Sequence, residues 1–293
     1  MKPKKFFSSG YLFDAANILF LGLLAATMIY PFLYILNISI SSAAEASRGG
    51  LHLWPRNISL AAYQVVFSDT LLVRAFINSV VRTLIGTVVT VICCAIAAYP
   101  LSRRETPFRR STTLFILFTM VFSGGLVPSY LLIRSLGLMD TMASLILPTI
   151  LSAFNIVIIK NFFQSIPESY VEAARIDGAS EWRILFQIFI PLSGPVLATV
   201  GLWTAVMHWN SWFDAMLYIT SENKQVLQTI LQRIVIDSSP AFLDAGMAAQ
   251  EGAVTSQTIK AATTLVTILP ILLCYPFLQR FFTKGIMLGG VKE

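Results

Sequence analysis

The spacing with most chemical content lies in residues 165–191, a polar stretch between two apolar runs. Pro167 suits the first position of a helix, and Glu168 sits where the helix dipole favours an anion. Gly178 is placed to end that helix in a left-handed conformation. Ser180 can then cap a second helix carrying Ile184, Leu185 and Ile188, and Pro191 marks where the apolar sequence resumes. The product is a helix-turn-helix elbow. Its first arm sets Glu172, Arg175 and Asp177 around Ala173 and Ala174, a small-residue face able to slide into a partner's groove. The chemistry implied is docking rather than bond-making. HExxH, GxSxG and Walker-type glycine loops are absent from the sequence, so no catalytic residue is expected. No metal site is expected either. Cys93 and Cys94 are adjacent, Cys274 is distant, and His52 and His208 lie far apart, so the thiols read as small buried hydrophobes.

A second cluster, Trp203, Met207, His208, Trp209, Asn210, Trp212 and Asp214, sits in a later apolar run. Aromatic faces stack on sugar rings, and Asn or Asp can hydrogen-bond hydroxyls. An ionisable group inside an apolar run is a functional candidate by default. Trp203, Met207, Trp209, Asn210, Trp212 and Asp214 are therefore candidate lining of a substrate pathway. Aromatic residues also collect at membrane interfaces, so the same residues could mark an outer rim.

Both clusters must be positioned by elements that suit a bilayer. The 293-residue chain is 56% hydrophobic and 12% charged, with mean hydropathy +0.72. That is about half the charge of a soluble domain. The net charge of +6 is attributed to retained cytoplasmic cations and not to nucleic-acid binding. Apolar runs at 15–40, 83–101, 113–133, 141–164, 192–219 and 259–282 are each long enough to cross. The expectation is an all-α, polytopic membrane bundle of about six transmembrane helices in a single domain, with the elbow at 165–191 and exterior loops at 41–75 and 221–258. The short segment 102–111 packs Arg103, Arg104, Arg109 and Arg110 between two spans, which places it and both termini, including the tail 283–293, on the cytoplasmic side. Arg74 and Arg82 then fall in an exterior segment. Prolines and glycines inside most runs favour a moving or cavity-lining bundle over a simple anchor.

Glu172-Ala173-Ala174, three residues, Gly178, nine residues, Ile188, one residue, Ile190 and Pro191 resembles the E-A-A-x3-G-x9-I-x-L-P signature of ABC importer permeases, with Ile190 in place of Leu. The resemblance covers nearly the whole chain and is closest to the carbohydrate-uptake, maltose-type branch. Ala97 to Arg103, Trp209-Asn210 with Phe213, and the tail Gly285 to Lys292 are shared with that branch. It implies a type I importer permease in a bacterial inner membrane, with the elbow as the coupling helix. Glu172, Ala173, Ala174 and Gly178 become contacts with a separate ATPase subunit, Arg175 and Asp177 polar contacts at their rim, and Ile188 and Pro191 the rest of the motif. The tail Gly289, Gly290, Val291 and Lys292 becomes a second ATPase contact. The implied partners are a homologous second permease, two ATP-binding subunits that hold ATP and Mg, an extracytoplasmic solute-binding protein touching the exterior loops, membrane lipid and an oligosaccharide. No cofactor is implied for this chain.

The overall pattern is also similar to importers of acidic oligosaccharides, the second permease of an alginate importer in particular. Exterior Arg48, Arg56, Arg74 and Lys224 are compatible with a uronate cargo. The alternative is a stand-alone secondary transporter driven by an ion gradient. Such carriers usually have more spans and midplane ionisable groups.

Overall fold

The computed structural model describes residues 9–48, 50, 54–237 and 254–290, with residues 9, 10, 12, 236, 237 and 275–290 described by backbone only. The chain divides into two compact units: residues 1–69 with 234–266, and residues 70–233 with 267–293. Among the described residues the structure is helical, with one isolated bridge between Ser41 and Ile58.

The first unit contains α1 (Ser9–Ser39). None of its most apolar window is covered by protein, so lipid or another chain must solvate it. The C-terminal end of α1 is the part that packs. Ile38 joins Ala46 and Ala261 in a small core, Ser39 Oγ meets Tyr63 OH at 2.8 Å, and Gln257 donates to Tyr34 OH at 3.0 Å.

The second unit is organised on α2 (Thr70–Ser102). Its buried residues run Leu72, Ala75, Ser79, Arg82, Gly86, Thr90, Cys94 and Ala98, one stripe at helical spacing. From Gly86 onward the stripe is made of small residues, which lets neighbouring backbones approach closely. A β-carbon on Gly86 would lie 2.6 Å from His208 Nε2. At 33 residues α2 is about 50 Å long, well beyond the ~30 Å hydrocarbon core. It therefore begins well before the apolar run that starts at residue 83 and takes Arg74 and Arg82 into the helix. Arg82, expected in an exterior segment, is instead 1% exposed within the bundle.

The remaining runs are broken helices. α3 (Arg109–Val121) and α4 (Leu126–Ser135) meet at 112°, where Gly125 has φ +90°. α5 (Met142–Ile146), extended by a 3-10 turn to Thr149, meets α6 (Ala153–Phe163) at 50°. The elbow follows as α7 (Ser169–Ile176) and α8 (Glu181–Ile184). A π-turn at Leu185–Phe189 and a last turn to Leu192 then meet α9 (Gly194–Asn210) at 81°. Thus the run 192–219 is not one helix. α9 stops at Asn210, and α10 (Phe213–Tyr218) restarts beyond Ser211 and Trp212. α11 (Leu227–Gln232) lies against the outer part of α2, and α12 (Ser256–Gly290) closes the fold. Among the described residues three helices are long and apolar enough to cross alone, and up to six spans result if each bent pair is one.

Candidate coupling site

The elbow is built as its residues dictate. Gly178 has φ +74°, its N–H bonds Arg175 O at 3.0 Å, and the Ala179 N–H bonds Ala174 O at 2.9 Å. That pair of bonds is the Schellman closure, and it needs a left-handed residue at Gly178. Ser180 Oγ accepts from the Arg183 N–H at 3.4 Å and caps α8. Pro167 sits one residue before the turn: α7 opens with the Val171 N–H bonding Glu168 O at 2.9 Å.

Burial splits α7 into two faces. Val171 is 1% exposed and packs into the bundle core with Ala174 and Ala179 partly buried beside it. Glu172, Ala173, Asp177 and Gly178 are exposed. So are Tyr170 and Ile176, at 52% and 86%, which the sequence reading passed over. Ile176 stands three residues after Ala173 and four after Glu172, on the face already singled out, and that spacing was the available signal. An apolar side chain that exposed is a candidate docking anchor by its physical character.

Arg175 stays exposed and is also paired within the chain: its guanidinium bonds Glu105 at 2.9 and 3.1 Å and Glu181 at 2.9 and 3.3 Å. The Tyr99 hydroxyl also donates to Glu181, at 2.6 Å. The Tyr99 hydrogen bond, followed by Arg175, holds the Glu181 carboxyl below the usual range, and Arg175 does the same for Glu105. Tyr99 packs edge-on to Phe189, and Phe189 to Phe163, at centroid separations of 5.0 and 5.2 Å. The elbow is thereby braced to the C-terminal end of α2 and to α6. Ile188 is half-buried against this same core, and Pro191, which cannot donate a backbone bond, lies exposed just beyond the π-turn.

α2 carries the brace toward its own N-terminus. About 26 Å along the helix from Tyr99, Arg82 forms an ion pair with Asp214 and donates to Ser211 O at 3.0 Å. Asp214 also accepts from Ser211 Oγ at 2.8 Å and from the Ala215 N–H at 2.9 Å. The break between α9 and α10 is thus pinned to α2, and Asp214 is taken up by internal partners instead of lining an open path.

The pathway cluster separates in the same way. Trp209 is 6% exposed, donates to Thr267 O at 3.0 Å and stands edge-on to Phe76. Trp212 packs edge-on to Phe213. Trp203, Met207 and Asn210 share one face of α9 at i, i+4, i+7, with Met207 and Asn210 exposed. Trp203 is oriented by donating to Asn155 Oδ1 at 2.7 Å, and half-exposed Phe154 packs against it.

On the opposite end of the unit, Asp140 at φ +58° clasps the loop after α10. It accepts from Lys224 Nζ at 2.8 Å, Ser221 Oγ at 2.6 Å and the Ser221 and Thr220 N–H groups at 2.9 and 3.1 Å. The lysine, then Ser221, hold its carboxyl far below the usual range. Lys224 and Arg48, the latter 3.1 Å from Glu45, are therefore not free cations for cargo. Arg56 and Arg74 make no ion pair among the described residues. Gly289 and Gly290 end the α12 backbone, while Val291, Lys292 and residues 238–253 of the loop 221–258 lie outside the described residues.

The fold and these sites are shared with known proteins. The family model for the binding-protein-dependent transport system inner membrane component matches residues 9–287. The chain is 42% identical to protein LplC of Bacillus subtilis, over 97% of this chain and 96% of that protein. It is 41% identical to the polygalacturonan/rhamnogalacturonan transport system permease protein YtcP of the same species, over 96% and 98%. A solved bacterial ABC transporter involved in the import of the acidic polysaccharide alginate superposes with TM-score 0.89 at 34% identity, covering 95% of this chain and all of that one. A braced elbow on a broken-helix membrane bundle, matched from end to end, identifies a multi-pass inner-membrane permease subunit of an ABC importer. It is a subunit without hydrolytic chemistry of its own, and the chain belongs to the family of binding-protein-dependent transport system inner membrane components.

Proposed function

We propose that this permease moves an acidic oligosaccharide into the cytoplasm by alternating access, driven through the elbow. One observation carries the reading: the exposed face of α7, with Tyr170, Glu172, Ala173 and Ile176, is rigidly tied through Arg175, Glu181 and Tyr99 to a helix that crosses the bundle. A push on that face is delivered to α2, and α2 holds the α9–α10 break through Arg82. The partners are a homologous second permease, two subunits that bind ATP and Mg, and a solute-binding protein meeting the loops of the opposite face. Both termini are cytoplasmic, and the tail ending Gly289-Gly290-Val291-Lys292 is a second contact with the ATP-binding subunits.

The cargo class is supported by two relatives whose names specify acidic polymers, alginate and polygalacturonan. Within this chain, the Trp203, Met207 and Asn210 face of α9 is the part of the cluster left free to meet a sugar, with unpaired Arg74 a candidate for uronate carboxylates. The test is the ATPase rate of the purified complex, wild type against Glu172→Lys with Ile176→Asp, with loaded binding protein. Uronate oligomers should stimulate the wild type and not the double variant. Transport with no ATPase attached would restore the secondary carrier. Stimulation by neutral glucose oligomers alone would remove the acidic cargo.

A further inference from the structure

The cytoplasmic ends of α2, α3 and α6 surround a polar cavity of about 480 Å³. Arg103, Arg104 and Arg109 line it on one side, and Gln164, Ser165 and Glu168 on the other. Three guanidinium groups thus face one carboxylate. Arg103 is held only loosely, 3.6 Å from Glu168 and 3.9 Å from Glu105. Its side chain is 11% exposed and its Nε is buried with no partner. Arg104 and Arg109 make no ion pair among the described residues. A buried, unsatisfied guanidinium donor beside two further unpaired cations is costly unless an anion enters. No side chain caps α3, which begins at Arg109, so its first N–H groups are left without a side-chain partner.

The surroundings say which anion. Phe108, between the cavity and α3, has φ +57° and is 83% exposed. A bulky residue in that conformation is strained, and at this exposure the described residues pack little against it. Directly beyond it, Leu114, Phe115 and Phe118 of α3 are more than half exposed. The cavity therefore sits where headgroups meet hydrocarbon, with an aromatic ring at the interface and an apolar helix face beside it. We propose that it binds the phosphate headgroup of an anionic phospholipid of the cytoplasmic leaflet. Three cations against one carboxylate favour a headgroup of net negative charge, because a zwitterionic one brings its own cation to the site. Because Glu168 opens α7, the bound lipid replaces an internal carboxylate at the root of the elbow, joining the arginine loop to the coupling helix.

The test is native mass spectrometry on the delipidated intact complex, titrated with phosphatidylglycerol, phosphatidylcholine or inorganic phosphate. Wild type should retain phosphatidylglycerol selectively. Arg104→Gln with Arg109→Gln should lose about 30-fold in that affinity, the contribution of two interfacial cations. Arg104→Lys with Arg109→Lys, checked for an unchanged melting temperature, should keep most of it. Equal binding of the two lipids, or of the glutamine pair and wild type, would overturn the site. Inorganic phosphate binding as tightly as phosphatidylglycerol would overturn the lipid in favour of a soluble anion. A glutamine pair that keeps its lipid but sheds the ATPase subunit would make the arginines a protein-docking surface instead.

Discussion

Gly178 offers the sharpest separation of backbone from contact in the elbow. A β-carbon there meets no heavy atom within 4 Å, so the chain itself has room for a side chain. The only internal obstacle is φ +74°, which an ordinary L-residue enters at about 1–2 kcal/mol and a β-branched one least readily of all. Asn tolerates the left-handed region and has nearly the volume of Val. Gly178→Val should therefore shift the elbow out of its closed turn and weaken ATPase-subunit binding by about 5- to 30-fold. Gly178→Asn should cost only a few-fold. The assay is a binding titration of the ATP-binding subunit onto the permease in nanodiscs, with thermal melting as a control, since the turn is exposed and the bundle core should be untouched. If Asn and Val weaken binding equally, the loss is steric collision with the partner and the backbone argument fails. If neither does, the left-handed turn is not what presents α7.

Gly86→Ala should destabilise the bundle by about 1–3 kcal/mol through overpacking, because three atoms of the buried His208 ring lie within 2.8 Å of the new carbon. Melting of the Gly86→Ala, His208→Ala pair should recover much of that loss. Asp214→Ala strands the Arg82 guanidinium, 1% exposed, and should cost about 3–5 kcal/mol. Arg82→Met with Asp214→Ala should be the more stable protein, as measured by denaturation in detergent. The Asp140 clasp has a depressed carboxyl pKa, so its contribution is complete above the unfolded value of about 3.9 and fades as pH falls toward the native one. The hydrogen-exchange protection factors of the Thr220 and Ser221 amides should hold down to about pH 4 and fall below it. In Asp140→Asn they should be low at every pH.

The helical membrane class was legible because it depends on summed apolarity, and the elbow because its determinants are local. Gly178, Ser180 and the spacing to Pro191 act through bonds between residues three to five apart. Orientation and partners came only through charge bias and resemblance. What sequence order could not decide were the pairings across the bundle. Arg175 reads as an unpaired cation until Glu105, seventy positions earlier, is brought within 2.9 Å of it. Asp214 reads as a pathway carboxylate until Arg82 meets it from 132 positions away. Trp209 and Met207, two residues apart, look equivalent in the sequence, yet a 100° step per residue sends one into the core and leaves the other exposed. A side chain's type follows from the sequence alone. Whether its charge or ring is already satisfied depends on which distant helix packs against it, and that is a property of the tertiary structure.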